Sequence, residues 1–150
     1  MKRHEALIPL THDHHHALAQ VRQLRLAAKG TDQERRSRSA LFLSFFRDDT
    51  IKHFREEEEI VFPLLIEAAE AREPLARAML EHLRIHSLVR TLEREVEQGD
   101  PTPDIMVRVA ECLESHIRFE EKSLFPLIES TAGEAGLDSV TLSPRDRVPV

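Results

Sequence analysis

The chain has 150 residues and one cysteine, Cys112, so no disulfide can form within it and no oxidising compartment is needed. Tryptophan and tyrosine are both absent. Without tyrosine there is no side chain to carry a stable tyrosyl radical. No run of about 18 apolar residues exists, so no membrane span is expected. The opening stretch, MKRHEALIPLTHDHHH, turns polar too early for a secretory signal. These features point to the cytoplasm. A net charge of −6 offers no basic footprint for nucleic acid or an anionic membrane. Glycine and proline are scarce, at 4 and 8 residues, and act as punctuation.

Between those marks lie long stretches rich in Ala, Leu, Glu and Arg, which favour helix. Pro9 suits the first turn of a helix that ends at Gly30. Residues 31–38, TDQERRSR, read as a polar connection, and a second helix is expected from Ser39 to Arg72. Pro74 suits the first turn of a third helix, ending at Gly99. Thr102 caps a fourth, with Pro103 at its first position, which reaches Ser130. Residues 1–130 thus form one domain, and 131–150 read as a loosely ordered tail.

Apolar residues recur at steps of three and four. Examples are Leu10, Ala17, Val21 and Leu24; Leu43, Phe46, Ile60 and Leu64; Ala78, Ile85, Val89 and Leu92; and Met106, Val109, Leu113 and Leu127. Such stripes pack near-parallel helices. The halves also repeat. HFREEEEIVFPL from His53 matches HIRFEEKSLFPL from His116, and DHHHALAQVRQL from Asp13 matches EHLRIHSLVRTL from Glu81. The predicted fold is all-α, an up-down-up-down four-helix bundle whose helical hairpin repeats about a pseudo-twofold axis.

The stripes are interrupted by polar residues: His14, His53 with Glu57, His82 with His86 one turn on, and His116 with Glu120. Burying carboxylates is costly unless something compensates, and no Lys or Arg shares these positions. A metal would. His and Glu at i, i+4 lie on one face, and the set is too large for one ion but suits two bridged by carboxylates. At ~1.5 Å per residue all four helices bring their histidines to one level, roughly 20–26 Å from the same end. His15, on the stripe's edge, is the rival to His14; the stripe and the match to His82 favour His14. The remaining acids of the Glu56–Glu59 run, and Glu121, read as solvated. Pro63 and Pro126 fall just beyond the polar level, where a kink could close the helix ends over it.

DHH, HFREEE with Phe62-Pro63, EHLRIH, and HIRFEE with Phe125-Pro126 together resemble the hemerythrin-like, or HHE, cation-binding domain over residues 8–130. The resemblance implies two iron ions joined by an oxo or hydroxo group, with Glu57 and Glu120 bridging. One iron would be held by His14 and His53, the other by His82, His86 and His116, which leaves the first with an open position for O2 or NO. Phe42, Phe46, Phe54, Phe62 and Phe119 are candidates to line that position. Relatives are also implicated as peroxidases, nitric-oxide reductases and iron donors for cluster repair, so the resemblance does not choose between carrier, sensor and enzyme. Imidazole and carboxylate alone would equally suit zinc or manganese.

Overall fold

The computed structural model describes residues 2–145. Four helical legs form the bundle, and no strand occurs among the described residues. The first leg is α1, Ile8–Ala27. The second begins as α2, Asp32–Phe45, passes through a π-helical turn at Phe46–Thr50 into α3, Ile51–Glu56, and ends in a second π turn at Glu57–Val61. The third is α4, Arg72–Glu97. The fourth is α5, Pro103–Phe119, which continues through a π turn at Glu120–Leu124 into α6, Phe125–Asp138. The principal contacts join α1 to α2, α2 to α4, α4 to α5 and α5 to α1, so the legs close into a ring.

The second leg starts seven residues earlier than the expected Ser39. Thr31 caps it: its hydroxyl accepts from the Glu34 amide at 3.1 Å, and the Glu34 carboxylate accepts from the Thr31 amide at 3.3 Å. This reciprocal pair satisfies two amides that helix geometry leaves bare, so the polar run TDQERRSR folds as an exposed first turn. At the other hairpin, Gly99 adopts φ 88°, which only glycine reaches without strain, and Thr102 caps α5 through the Ile105 amide.

Both Phe-Pro pairs follow a π turn: Phe62 and Phe125 donate their amides five residues back, to Glu57 and Glu120. The proline next in line has no amide to give and its ring would crowd the carbonyl one turn back; a wider turn accommodates both. The extra residue per turn slips the register. Beyond Glu57 the core takes Val61 and Leu65, not the expected Ile60 and Leu64, and beyond Glu120 it takes Leu124 and Ile128, not Leu127.

The fourth leg runs eight residues past Ser130, with a break at Gly133 (φ 65°) that turns the chain so that Leu137 buries in the core. Residues 139–145 then run back over the bundle, where Ser143 and Arg145 make hydrogen bonds. The expected loose tail is therefore packed as far as 145, and its last residues, 146–150, lie outside the described ones.

Two apolar clusters fill the bundle. One contains Val21, Leu24, Phe42, Val89, Leu92 and Met106; the other contains Leu10, Val61, Leu65, Leu124 and Ile128. The polar level lies between them.

Candidate metal centre

Six buried residues meet at that level: His14, His53, Glu57, His82, His116 and Glu120. Glu57 and Glu120 are 0 % exposed. In each of two groups, one donor atom per residue lies within 4.8 Å of all the others. The first group is His14, His53, Glu57 and Glu120; the second is His82, His116, Glu57 and Glu120. Both carboxylates belong to both groups. Glu57 sets Oε2 at 3.1 Å from His53 Nε2 and Oε1 at 3.3 Å from His82 Nε2. Glu120 sets Oε1 at 3.0 Å from His14 Nε2 and Oε2 at 3.1 Å from His116 Nε2.

The imidazoles are oriented from behind. His14 Nδ1 faces Glu121 at 2.6 Å, His53 Nδ1 faces Asp13 at 2.8 Å, His82 Nδ1 faces Glu58 at 2.6 Å and His116 Nδ1 faces Glu81 at 2.7 Å. A carboxylate can only accept, so each Nδ1 carries a proton, and each Nε2 is the nitrogen left to offer a lone pair to a cation. Those lone pairs converge: the two Nε2 atoms of each group are 3.1 Å apart. Two lone pairs and carboxylate oxygens at this separation repel unless positive charge lies among them. The imidazole pKa values report the same demand. Burial alone would lower them, but Glu57 with Asp13 pushes His53 up to about 10, Glu120 with Glu57 pushes His82 up to about 10, and Glu120 with Glu81 pushes His116 up to about 9. Both Glu57 oxygens and Glu120 Oε2 lack a hydrogen-bond partner among the described residues, though fully buried. Orphaned buried carboxylate oxygens, facing converging imidazole nitrogens, form two overlapping donor sets that could hold a metal cation.

The sequence-derived candidates divide. His14, His53, Glu57, His82, His116 and Glu120 are brought together, while His15 is exposed. His86 is in neither group. Its ring stands edge-on to Phe46 and Phe54, with centroids 5.7 Å from each. A site made unequal by a fifth histidine therefore does not match this geometry: each group has two histidines and two shared carboxylates. Of the phenylalanines, Phe54 stacks on His82 at 3.8 Å and Phe62 lies over the same ring at 5.9 Å, inclined by 28°. Phe125, not singled out from the sequence, stacks on His14 at 5.4 Å. Phe119 points elsewhere, under the Arg77 guanidinium.

Sequence reasoning missed the four carboxylates behind the histidines. In the sequence Glu58 and Glu121 read as solvated, whereas in the structure they face His82 and His14. The signal was the repeat itself: Asp13 and Glu81 each precede a stripe histidine, and Glu58 and Glu121 each follow a stripe glutamate. Asp13 is further held by Arg145, whose Nη2 lies 2.8 Å away; Arg145 also pairs with Glu56. Arg3 reaches Glu121 and Arg77 reaches Glu81.

A small cavity adjoins this level beside His14 and His53. It measures about 20 Å³ and is lined by His14 and His53 together with Asp13, Ala17, Phe45, Asp49, Thr50, Phe54, Leu113 and Ile117. That is room for one small molecule.

The fold and the centre define a helical bundle with paired His/Glu cation-binding capacity in its core. A family model, the hemerythrin HHE cation-binding domain, matches residues 8–128, and the chain belongs to that family. No curated protein and no solved structure matches it. No helix among the described residues is long and apolar enough to cross a membrane.

Proposed function

We propose that this protein is a non-haem di-iron protein that binds or senses a small diatomic molecule, O2 or NO. His14 and His53 would hold one iron and His82 and His116 the other, with Glu57 and Glu120 available to both. The observation that supports this most is the sharing of both carboxylates between two otherwise separate histidine pairs, since a single ion would leave half of the donors unused. The iron pair, when bound, supplies two reducing electrons and open positions for a ligand.

The chain's own residues do the rest. Asp13, Glu58, Glu81 and Glu121 hold the protons of the four imidazoles on Nδ1 and aim Nε2 inward. Phe54, Phe62 and Phe125 cover the rings and keep water from them. The cavity supports a ligand position on the His14/His53 side, against Ala17, Phe45, Leu113 and Ile117. Choice of ligand position thus rests on packing.

The test is metal analysis of the purified chain with optical spectra of reduced, air-exposed and azide-treated samples. About two irons per chain and a reversible oxygen-dependent spectrum are expected for a carrier or sensor. Zinc in place of iron, or less than about one iron per chain, would overturn the reading. Rapid autoxidation with steady consumption of hydrogen peroxide would instead make it an oxidoreductase.

A further inference from the structure

Three π turns occur in the described residues, and two of them are explained by the ligand glutamates and the prolines that follow. The third, Phe46–Thr50, has neither. The corresponding stretch of the fourth leg, Val109–Leu113, is regular α-helix. So the third π turn breaks the repeat. It ends on Thr50.

Thr50 is 5 % exposed, and its hydroxyl has no hydrogen-bond partner among the described residues. A threonine inside a helix ordinarily bonds the carbonyl one turn back. Here the hydroxyl is left over, and Thr50 lines the cavity beside His14 and His53. An unmade bond on a buried hydroxyl destabilises the fold. The other polar lining offers no free donor. Asp13 and Asp49 are carboxylates, which accept, and Asp13 is committed to His53 and Arg145. The Nδ1 protons of His14 and His53 go to Glu121 and Asp13. Ala17, Phe45, Phe54, Leu113 and Ile117 have nothing to give.

We propose that Thr50 is the specificity-determining residue of this cavity: its hydroxyl donates a hydrogen bond to the ligand bound beside His14 and His53. The inference rests on the di-iron reading above and deepens it. A lone donor in an apolar pocket favours ligands that are anionic or gain negative charge on binding, and disfavours ligands that stay neutral. The residue matching Thr50 in the repeat is Leu113, so the second leg alone supplies the donor.

The probe is azide, added to the iron-loaded, oxidised full chain. Wild type, Thr50→Ser and Thr50→Val are compared for iron content, azide affinity from the optical titration, and the infrared stretch of bound azide in H2O and D2O. Valine keeps the shape and removes the donor. The expected result is an azide Kd about tenfold weaker in T50V and within about twofold of wild type in T50S, at equal iron content. Bound azide should shift in D2O for wild type and T50S but not for T50V. Equal azide affinity in T50V and wild type, with both irons retained, would overturn the role of Thr50 and leave the di-iron reading standing. Failure of the iron-loaded wild type to bind azide would overturn both. The deuterium shift is read on the unaltered chain, so its absence refutes the proposal even were T50V to lose iron.

Discussion

The half of the site built on His14 and His53 and the half built on His82 and His116 are alike wherever they would touch a metal and unlike one layer above it. Each half has two imidazoles, the same two shared carboxylates, two outer carboxylates and a phenylalanine from a Phe-Pro pair over one ring. They part at two matched positions, Ala17 against Ile85 and Ile117 against Phe54; the matched pair Leu113 and Thr50 both line the cavity beside His14 and His53. Phe54 stacks at 3.8 Å on His82, while the cavity opens where Ile117 and Ala17 fall short over His14 and His53. The repeat keeps the parts that hold charge, because every buried lone pair must be answered. The apolar layer is free to differ, since volume alone decides where a small molecule fits.

Breaking a shared element should hit both halves at once. Glu57→Gln and Glu120→Gln are each expected to lower bound metal from two to at most one per chain, measured by elemental analysis. Chelating the metal from the unaltered chain should lower the melting temperature by about 10 °C, because metal binding stabilises only the folded state. Ile85→Ala would give the His82 half the small residue found at Ala17. It is expected to cost about 2–5 kcal/mol in urea unfolding, since Ile85 is 1 % exposed in the core, and to open a second cavity for xenon. A smaller effect should come from the outer carboxylates. Asp13→Asn and Glu121→Gln should weaken metal at the His14/His53 position by about 10–100-fold, and Glu58→Gln and Glu81→Gln should do the same at the other, read by competition with a chelator. Equal losses at both positions from any one of these four changes would show that the halves do not act separately.

The bundle, the repeat and the level of the site were legible because each depends on spacing that a sequence displays. The stripe and the match to His82 favour His14 over His15, and the structure buries His14 among the clustered donors and leaves His15 exposed. Three things were not legible. The π turns shift the register by one residue, so Ile60, Leu64 and Leu127 were placed on a face that Val61, Leu65, Leu124 and Ile128 take. The glutamates after Glu57 and Glu120 looked solvated because a regular helix would turn them from the core. The tail looked loose because TAGEAGLDSVTLSPR has little apolar periodicity; it is held instead by Leu137 in the core and by Ser143 and Arg145 on Glu56 and Asp13.

His86 offers the finest test of the comparison, because a fifth histidine would make the His82 half the richer one. Its ring is half-buried and edge-on to Phe46 and Phe54, at interplanar angles of 85° and 83°. Burial, with the neighbouring His82 charge, lowers its pKa. These are the surroundings of a ring that packs. Ligation would require its nitrogen to leave the two phenylalanines and cross to His82 and His116, past the Phe54 ring already stacked there. His86→Ala is therefore expected to keep both metals and to lose about 1 kcal/mol of stability, the worth of the aromatic contacts. His86→Phe, which retains a ring against Phe46 and Phe54, should recover most of that loss. Should His86→Ala instead release one metal while the other stays, the His82 position takes three histidines when loaded, and the two halves are unequal at the metal as well as above it.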